Sequence, residues 1–215
     1  MYLLFDTETN GLPKDWKAPV EKTDNWPRLV QLAWLLFDEQ ENEISRGNYI
    51  IKPVGFEITS ESAAIHRIPQ ERALSEGHDL VEVLNKFQQD VEKAEFIIAH
   101  NIEFDEKIIK AELIRNNIDN FIDTKKKICT MISSKDYCQL RSRSGNGFKA
   151  PTLGELHYRL FNSLFKDAHD AMVDTDILAK SFFELKKLNI INPDKDFSEV
   201  MVEEKPEESQ QNSLF

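Results

Sequence analysis

Tyr2-Leu3-Leu4-Phe5-Asp6-Thr7-Glu8-Thr9-Asn10-Gly11 stands at the start of the chain, and its reading decides the fold. Tyr2 to Phe5 is an apolar run of the kind that becomes a strand, and it ends on two carboxylates flanking a threonine. Side chains two apart on a strand point to the same face, so Asp6 and Glu8 can share one cation. Two more strand-like runs follow, Leu29 to Asp38 and Ile44 to Lys52, all within the first 52 residues. Three consecutive strands predict an antiparallel meander.

After the meander the period changes. Leu80, Val81, Val83, Leu84, Phe87 and Val91 recur at helical spacing, and Phe96 to Ala99 is a short apolar run expected to form a buried strand. Phe104, Ile108, Ile109, Ala111, Leu113 and Ile114 mark a second amphipathic helix, and Lys127 to Thr130 reads as a fifth strand. Leu153 to Leu160 and Met172 to Leu188 read as two further helices. The expectation is an α/β domain with three strands first and helix-strand-helix units after. Two loops interrupt it: Pro13 to Arg28, with three prolines and two tryptophans, and Arg141 to Pro151, with a Ser/Gly-rich run expected to be mobile.

A chain of 215 residues suits one domain plus an appendage. Its net charge of −11 argues against a protein that coats nucleic acid or anionic membrane with its whole surface. The charge is uneven. Asp194 to Phe215 carries seven acidic residues against Lys195 and Lys205, leaving −6 on the first 193 residues. From Lys125 to Lys149 the balance reverses, with seven Lys and Arg against Asp136 alone. Beyond Asn192 the composition turns to Glu, Lys, Gln, Ser and Pro, too polar to offset chain entropy, so the expected division is a domain over 1–191 and a disordered acidic tail over 192–215. Cys129 and Cys138, nine apart, give neither a disulfide framework nor a zinc site, so a reducing, cytoplasmic setting is expected. The longest uncharged apolar run, Leu29 to Phe37, is about half a membrane span and contains Gln31, and no export segment is read at the N-terminus.

Three further residues join Asp6 and Glu8. Asp105 lies just past the expected strand Phe96 to Ala99, Asp174 falls in the last expected helix, and His169 stands five residues before it. That separation is about 140° on an ideal helix, so His169 is expected at the helix entry rather than stacked beside Asp174. Four bare carboxylates in one site would repel and raise one another's pKa, a cost that divalent cations remove.

Phe5-Asp6-Thr7-Glu8-Thr9-Asn10-Gly11, then His100-Asn101-x-x-Phe104-Asp105, then His169-Asp170-Ala171-x-x-Asp174 resemble the three exonuclease motifs of the DEDDh (DnaQ-like) family, in the family's order. The resemblance covers residues 1 to about 188 and implies the ribonuclease H-like fold: a five-stranded mixed sheet, an antiparallel three-strand meander plus two parallel strands, flanked by helices. By that resemblance Asp6 would bridge two divalent ions, Mg²⁺ or Mn²⁺. Glu8 and Asp174 would complete the first site, and Asp105 would hold the second ion directly or through water. Such a pair stabilises both the attacking and the leaving oxygen of an in-line displacement. His169 would be the general base, since an imidazole titrates near neutral pH.

Glu61 and His66 resemble the stretch that contacts the terminal nucleotide in epsilon-type members, the proofreading subunits of bacterial DNA polymerase III, although the family usually has glycine where this chain has Arg67. Thr7, Thr9, Gly11 and Asn101 belong to the same motifs, and Leu12 and Phe104 are candidates for packing on the terminal bases. For His66 the bland reading is a surface or half-buried histidine, and for Leu12 and Phe104 it is ordinary core packing. Arg141, Arg143 and Lys149, with Lys125 to Lys127, could track the phosphates of a single strand, or form a solvated face. The last residues, Gln211-Asn212-Ser213-Leu214-Phe215, resemble the peptide by which bacterial replication and repair proteins hold the β sliding clamp.

The leading expectation is a metal-dependent 3′ to 5′ exonuclease acting on single-stranded or frayed DNA, with the clamp and a replicative polymerase subunit as potential partners. A 3′ to 5′ exoribonuclease of the same family, and a replisome adaptor that docks through its C-terminal peptide, remain open.

Overall fold

The apolar run at the N-terminus becomes the middle strand of the sheet because both of its faces and both of its edges are covered. A computed structural model describes residues 1–142, 147–165, 169–193 and 195. Its strands are β1 (Tyr2–Thr9), β2 (Leu29–Phe37), β3 (Glu43–Ile50), β4 (Phe96–Ala99) and β5 (Lys126–Cys129). They form one sheet in the order β3-β2-β1-β4-β5. β1 to β3 pair antiparallel, while β4 lies parallel to β1 and β5 parallel to β4, the expected mixed arrangement.

Eight helices surround it among the described residues: α1 (Ser60–His66), α2 (Gln70–Glu76), α3 (Leu80–Lys93), α4 (Ile102–Asn116), α5 (Thr130–Ser133), α6 (Lys135–Cys138), α7 (Leu153–Phe161) and α8 (Ala171–Lys187). Alternate residues of β1 feed two separate cores. Leu3 and Phe5 pack with Trp34, Phe87, Ile108 and Ile109 under α3 and α4. Tyr2 and Leu4 pack with Leu35, Ile98, Leu178 and Phe182 under α8. None of these helices is long and apolar enough to cross a membrane.

β1 runs four residues past the apolar stretch from which its end is predicted, because its ladder with β2 continues through Asp6↔Ala33, Thr7↔Leu32 and Glu8↔Gln31. On its other edge, pairing with β4 stops at Leu4↔Ile98. The carboxyl end of β1 therefore stands beside a gap where β4 has already turned into α4. In open α/β sheets such a gap, at the carboxyl ends of strands, is where ligands bind. A register shift between Glu8 and Thr9 marks a bulge at the same point, a device that re-aims side chains.

Gln31 ties the far end of the chain to this point. Its side chain is buried, its Nε2 donates to Asn48 Oδ1 at 2.9 Å, and its Oε1 accepts the Ala171 N–H at 3.1 Å. The start of α8 is thereby pinned to β2. Asp170 caps the helix, accepting from the N–H groups of Met172 and Val173.

α1 and α2 are not foreshadowed by apolar periodicity. They are seven residues each, and on α1 the largest apolar side chain, Ile65, is 55% exposed. Thr59 nucleates α1 by accepting the Ser62 N–H at 3.1 Å. Arg67 closes it with φ +60° and ψ 26°, the left-handed conformation that glycine adopts without Cβ strain. That accounts for the glycine that the family usually carries here. Arg67→Gly is expected to raise unfolding free energy by up to about 1 kcal/mol, the left-handed penalty less the added chain entropy of glycine. Chemical denaturation of the two proteins checks it, and a clear loss of stability would show that the Arg67 side chain outweighs its backbone strain.

Candidate active site

Asp6 and Glu8 share the face of Leu4, toward α8, and Thr7 shares the face of Phe5, toward α4. Asp105, in the first turn of α4, is 3% exposed, and its Oδ1 accepts both the Thr7 N–H at 3.1 Å and the Thr7 hydroxyl at 2.7 Å. These bonds lock α4 to β1 across 98 residues of sequence, and any metal contact by Asp105 falls to Oδ2. Asn101 enters α4 in a left-handed conformation, φ +82°. Beside it His100 bridges two segments, its rings' nitrogens 3.0 Å from Thr130 Oγ1 and 3.0 Å from the Pro151 carbonyl. A carbonyl can only accept, so Nε2 carries a proton, and burial lowers the pKa of the ring against the bond to Pro151.

His169 precedes the N-cap of α8 with φ +69°, outside the helix, so the 140° separation of an ideal helix does not apply to it. Its N–H donates to Asp174 Oδ2 at 2.9 Å. One ring nitrogen of His169 and one carboxylate oxygen each of Glu8 and Asp174 lie within 4.8 Å of one another. Asp6 and Asp105 are not in that closest group but neighbour it: Asp6 is pushed well above the usual carboxylate range by burial first, then by Asp105, Glu8, Asp174 and Asp170. Glu8 is pushed up to about 8 by burial and then by Asp174, Asp105 and Asp170. Asp105 rises to about 7 through burial, against the two bonds from Thr7. Burial also raises Asp174, opposed by the His169 N–H. Hard oxygen donors crowded to the point of holding protons near neutral pH fit a divalent cation.

Next to this cluster lies a cleft of about 350 Å³, lined by Thr7, Glu8, Thr9, Gly11, Leu12, Glu61, His66 and Phe104, all singled out in the sequence, together with Thr59, Ser62 and Ile65, which were not. Asn101 does not line it. His66 is 3% exposed rather than half-buried. Its Nδ1 accepts the Ile68 N–H at 3.1 Å, which places the proton on Nε2, and burial lowers its pKa. That buried Nε2 finds no partner among the described residues and offers a donor to whatever fills the cleft. Leu12 is 72% exposed, so core packing does not explain it. Phe104 does both: it packs against the core and lines the cleft. Thr9 braces the turn after β1 by donating to the Gly11 carbonyl at 2.7 Å.

The basic segment is less basic in space than in sequence. Lys126 pairs with Glu95, Lys127 with Glu106 and Asp123, and Lys149 with Glu155 at 2.6 Å. Lys125 donates to the Glu92 carbonyl. Arg141 is exposed, while Arg143 lies outside the described residues, as do Gln211, Leu214 and Phe215.

A family model described as exonuclease, RNase_T, matches residues 3–182. The chain belongs to this exonuclease family. Curated protein sequences give no match. Among solved structures the chain is similar to Escherichia coli exonuclease I in complex with a dA16 oligonucleotide, at TM-score 0.69 and 17% identity over 94% of this chain and 43% of that one. Exonuclease I from Methylocaldum szegediense gives TM-score 0.68 and 18% identity, over 94% and 42%. The zinc-bound E. coli exonuclease I complex with single-stranded DNA gives 0.69 and 16%, over 94% and 42%. The chain thus spans less than half the length of these structures. The likeness establishes the fold, the ribonuclease H-like sheet expected from the motifs.

The raised carboxyls fix a pH dependence. A carboxyl that keeps its proton to higher pH in the folded exonuclease than in the unfolded chain, where it titrates near about 4, stabilises the fold at low pH and loses that contribution as pH rises through its folded value. In chelator, the Tm is expected to fall between pH 5 and pH 8.5, and Glu8→Gln to flatten the fall. Mg²⁺ is expected to add more stability at pH 8 than at pH 5, because fewer protons then compete for the carboxylates. Thermal melts over this range check it, and a flat metal-free profile would count against the shared burial of these groups.

Proposed function

We propose that this exonuclease is a metal-dependent 3′ to 5′ enzyme that hydrolyses phosphodiester bonds at the 3′ end of single-stranded or frayed DNA and releases nucleoside 5′-monophosphates, acting in the cytoplasm in replication proofreading or repair. The observation that carries this reading is the meeting of Glu8, His169 and Asp174, within 4.8 Å, beside the cleft that Leu12, His66 and Phe104 line. The oligonucleotide complexes of the structural neighbours support DNA as the substrate class.

Two divalent cations, Mg²⁺ or Mn²⁺, held by Asp6, Glu8, Asp105 and Asp174, would supply Lewis-acid stabilisation of the attacking and leaving oxygens. His169, on the exposed entry to α8, takes the proton of the attacking water as general base. The Thr7 bonds to Asp105 Oδ1 hold that carboxylate in one orientation. His66 donates from Nε2 to an oxygen of the terminal nucleotide, and Leu12 and Phe104 pack on its base. Glu61, Thr9 and Gly11 line the same cleft. With Lys125 to Lys127 and Lys149 held by neighbouring acceptors, the exposed Arg141 is the residue of this segment that tracks the DNA backbone, and Arg143, outside the described residues, joins it from the sequence alone.

Product analysis on 3′-extended single-stranded DNA and matched RNA tests the reading. Stepwise loss from the 3′ end of DNA is expected with Mg²⁺ or Mn²⁺, none with chelator or in Asp6→Ala, and a loss of about 10²- to 10⁴-fold in kcat for His169→Gln. Preference for RNA would move the protein to the ribonuclease branch, and cleavage of neither would leave an adaptor role.

The C-terminal Gln211, Leu214 and Phe215 complete the proposal as a tether to the β sliding clamp, raising the local concentration of the domain at DNA ends and near a replicative polymerase subunit. Truncation after Gln210 is expected to abolish clamp binding in a pull-down with intact exonuclease activity. Binding that survives truncation would remove the tether.

A further inference from the structure

The aromatic lining of the cleft does not end at Phe104. The ring of Trp16 lies against it, with centroids 5.6 Å apart and planes at 40°. Phe104 is partly buried and lines the cleft, whereas Trp16 is 51% exposed and stands outside it, in the loop between β1 and β2. The other two tryptophans are spent inside the fold. Trp26 is 3% exposed and Trp34 is 2% exposed, with indole N–H groups donating to the Pro19 carbonyl and to Asp90. A large aromatic ring left half in water, continuous with a cleft wall, is costly to hydration and has a flat face to offer. Lys107 beside the loop is already engaged, paired with Glu103 at 2.6 Å, donating to the Trp16 carbonyl at 3.4 Å and lying 5.2 Å over the Trp26 ring, so what Trp16 offers is its face alone. An exposed aromatic face continuous with a cleft wall matches a nucleobase.

We propose that Trp16 forms a second base-stacking subsite, outside the catalytic cleft, which takes an unpaired base upstream of the 3′-terminal nucleotide. This rests on the nuclease reading above and extends it to the choice of substrate. A base in a duplex presents its face to its stacked neighbours and cannot lie on the Trp16 ring. Strands with an unpaired 3′ end are therefore favoured over blunt duplex ends and over mononucleotide esters, which have no upstream base. Stacking needs a π face and no base-specific hydrogen bond, so the preference is for unpaired structure and not for sequence.

The test uses the full chain with Mg²⁺ and phosphorothioate-linked oligothymidylates, which resist hydrolysis, and reads tryptophan emission together with the anisotropy of a 5′ label. Wild type is expected to bind a tetramer with quenching of the exposed tryptophan, and Trp16→Phe to bind within about twofold with the quench gone, because Trp26 and Trp34 are buried. Trp16→Ala is expected to weaken the tetramer about tenfold and to leave unchanged the hydrolysis of the p-nitrophenyl ester of thymidine 5′-monophosphate, which has no upstream base. Binding without a quench, or a Trp16→Ala protein that keeps full affinity for the tetramer, overturns the subsite and leaves the nuclease reading standing. No binding and no hydrolysis of any strand by wild type overturns both.

Discussion

Desolvation of clustered carboxylates is the constraint on which the rest of this structure turns. Burial is the first cause that raises the pKa of Asp6, Glu8, Asp105 and Asp174, and neighbouring carboxylates add to it most at Asp6 and Glu8. A fold that gathers such groups needs rigid means to do so. Thr7 supplies one by binding Asp105, and Gln31 supplies another by binding the start of α8. Both act from the central strands, which are covered on both faces and do not yield.

The sheet order explains why the site forms where it does. β1 keeps its antiparallel partner beyond Leu4 and loses its parallel one, so its last residues are held straight along one edge and open along the other. α4 starts in the opening and brings Asp105, while α8 crosses on the opposite side with Asp174. His169 is carried just outside α8 by a left-handed turn, exposed to solvent and within reach of the cluster. The carboxylates thus sit on the sheet and the helices, and the imidazole stands at their rim.

Much of the fold is legible in local pattern. The runs at Tyr2 to Phe5, Leu29 to Asp38 and Phe96 to Ala99 become strands because they are buried in the sheet, and Ile44 to Lys52 overlaps the edge strand, held by its ladder to β2 although only Gly47 of β3 is buried. α1 and α2 escape such a reading because short helices with an exposed Ile65 carry no stripe of apolar residues. The basic surplus between Lys125 and Lys149 misleads for the complementary reason: Glu95, Glu106 and Glu155, the carboxylates that offset it, come largely from other segments. Trp16 carries no motif at all, and its exposure and its ring against Phe104 distinguish it from the buried tryptophan of the same loop.

By itself the sequence determined the order and type of the main elements and which carboxylates and imidazoles the chain has to offer, because periodicity and side-chain chemistry are local properties. The tertiary structure decided which of those residues meet, which hold protons near neutral pH, which lysines are already paired, and that His66 turns an unpartnered N–H to a cleft. These depend on approaches between segments that are 98 residues apart at Thr7 and Asp105 and 140 apart at Gln31 and Ala171. Burial and electrostatic coupling at such contacts arise only when the chain has closed on itself, and no local spacing encodes them.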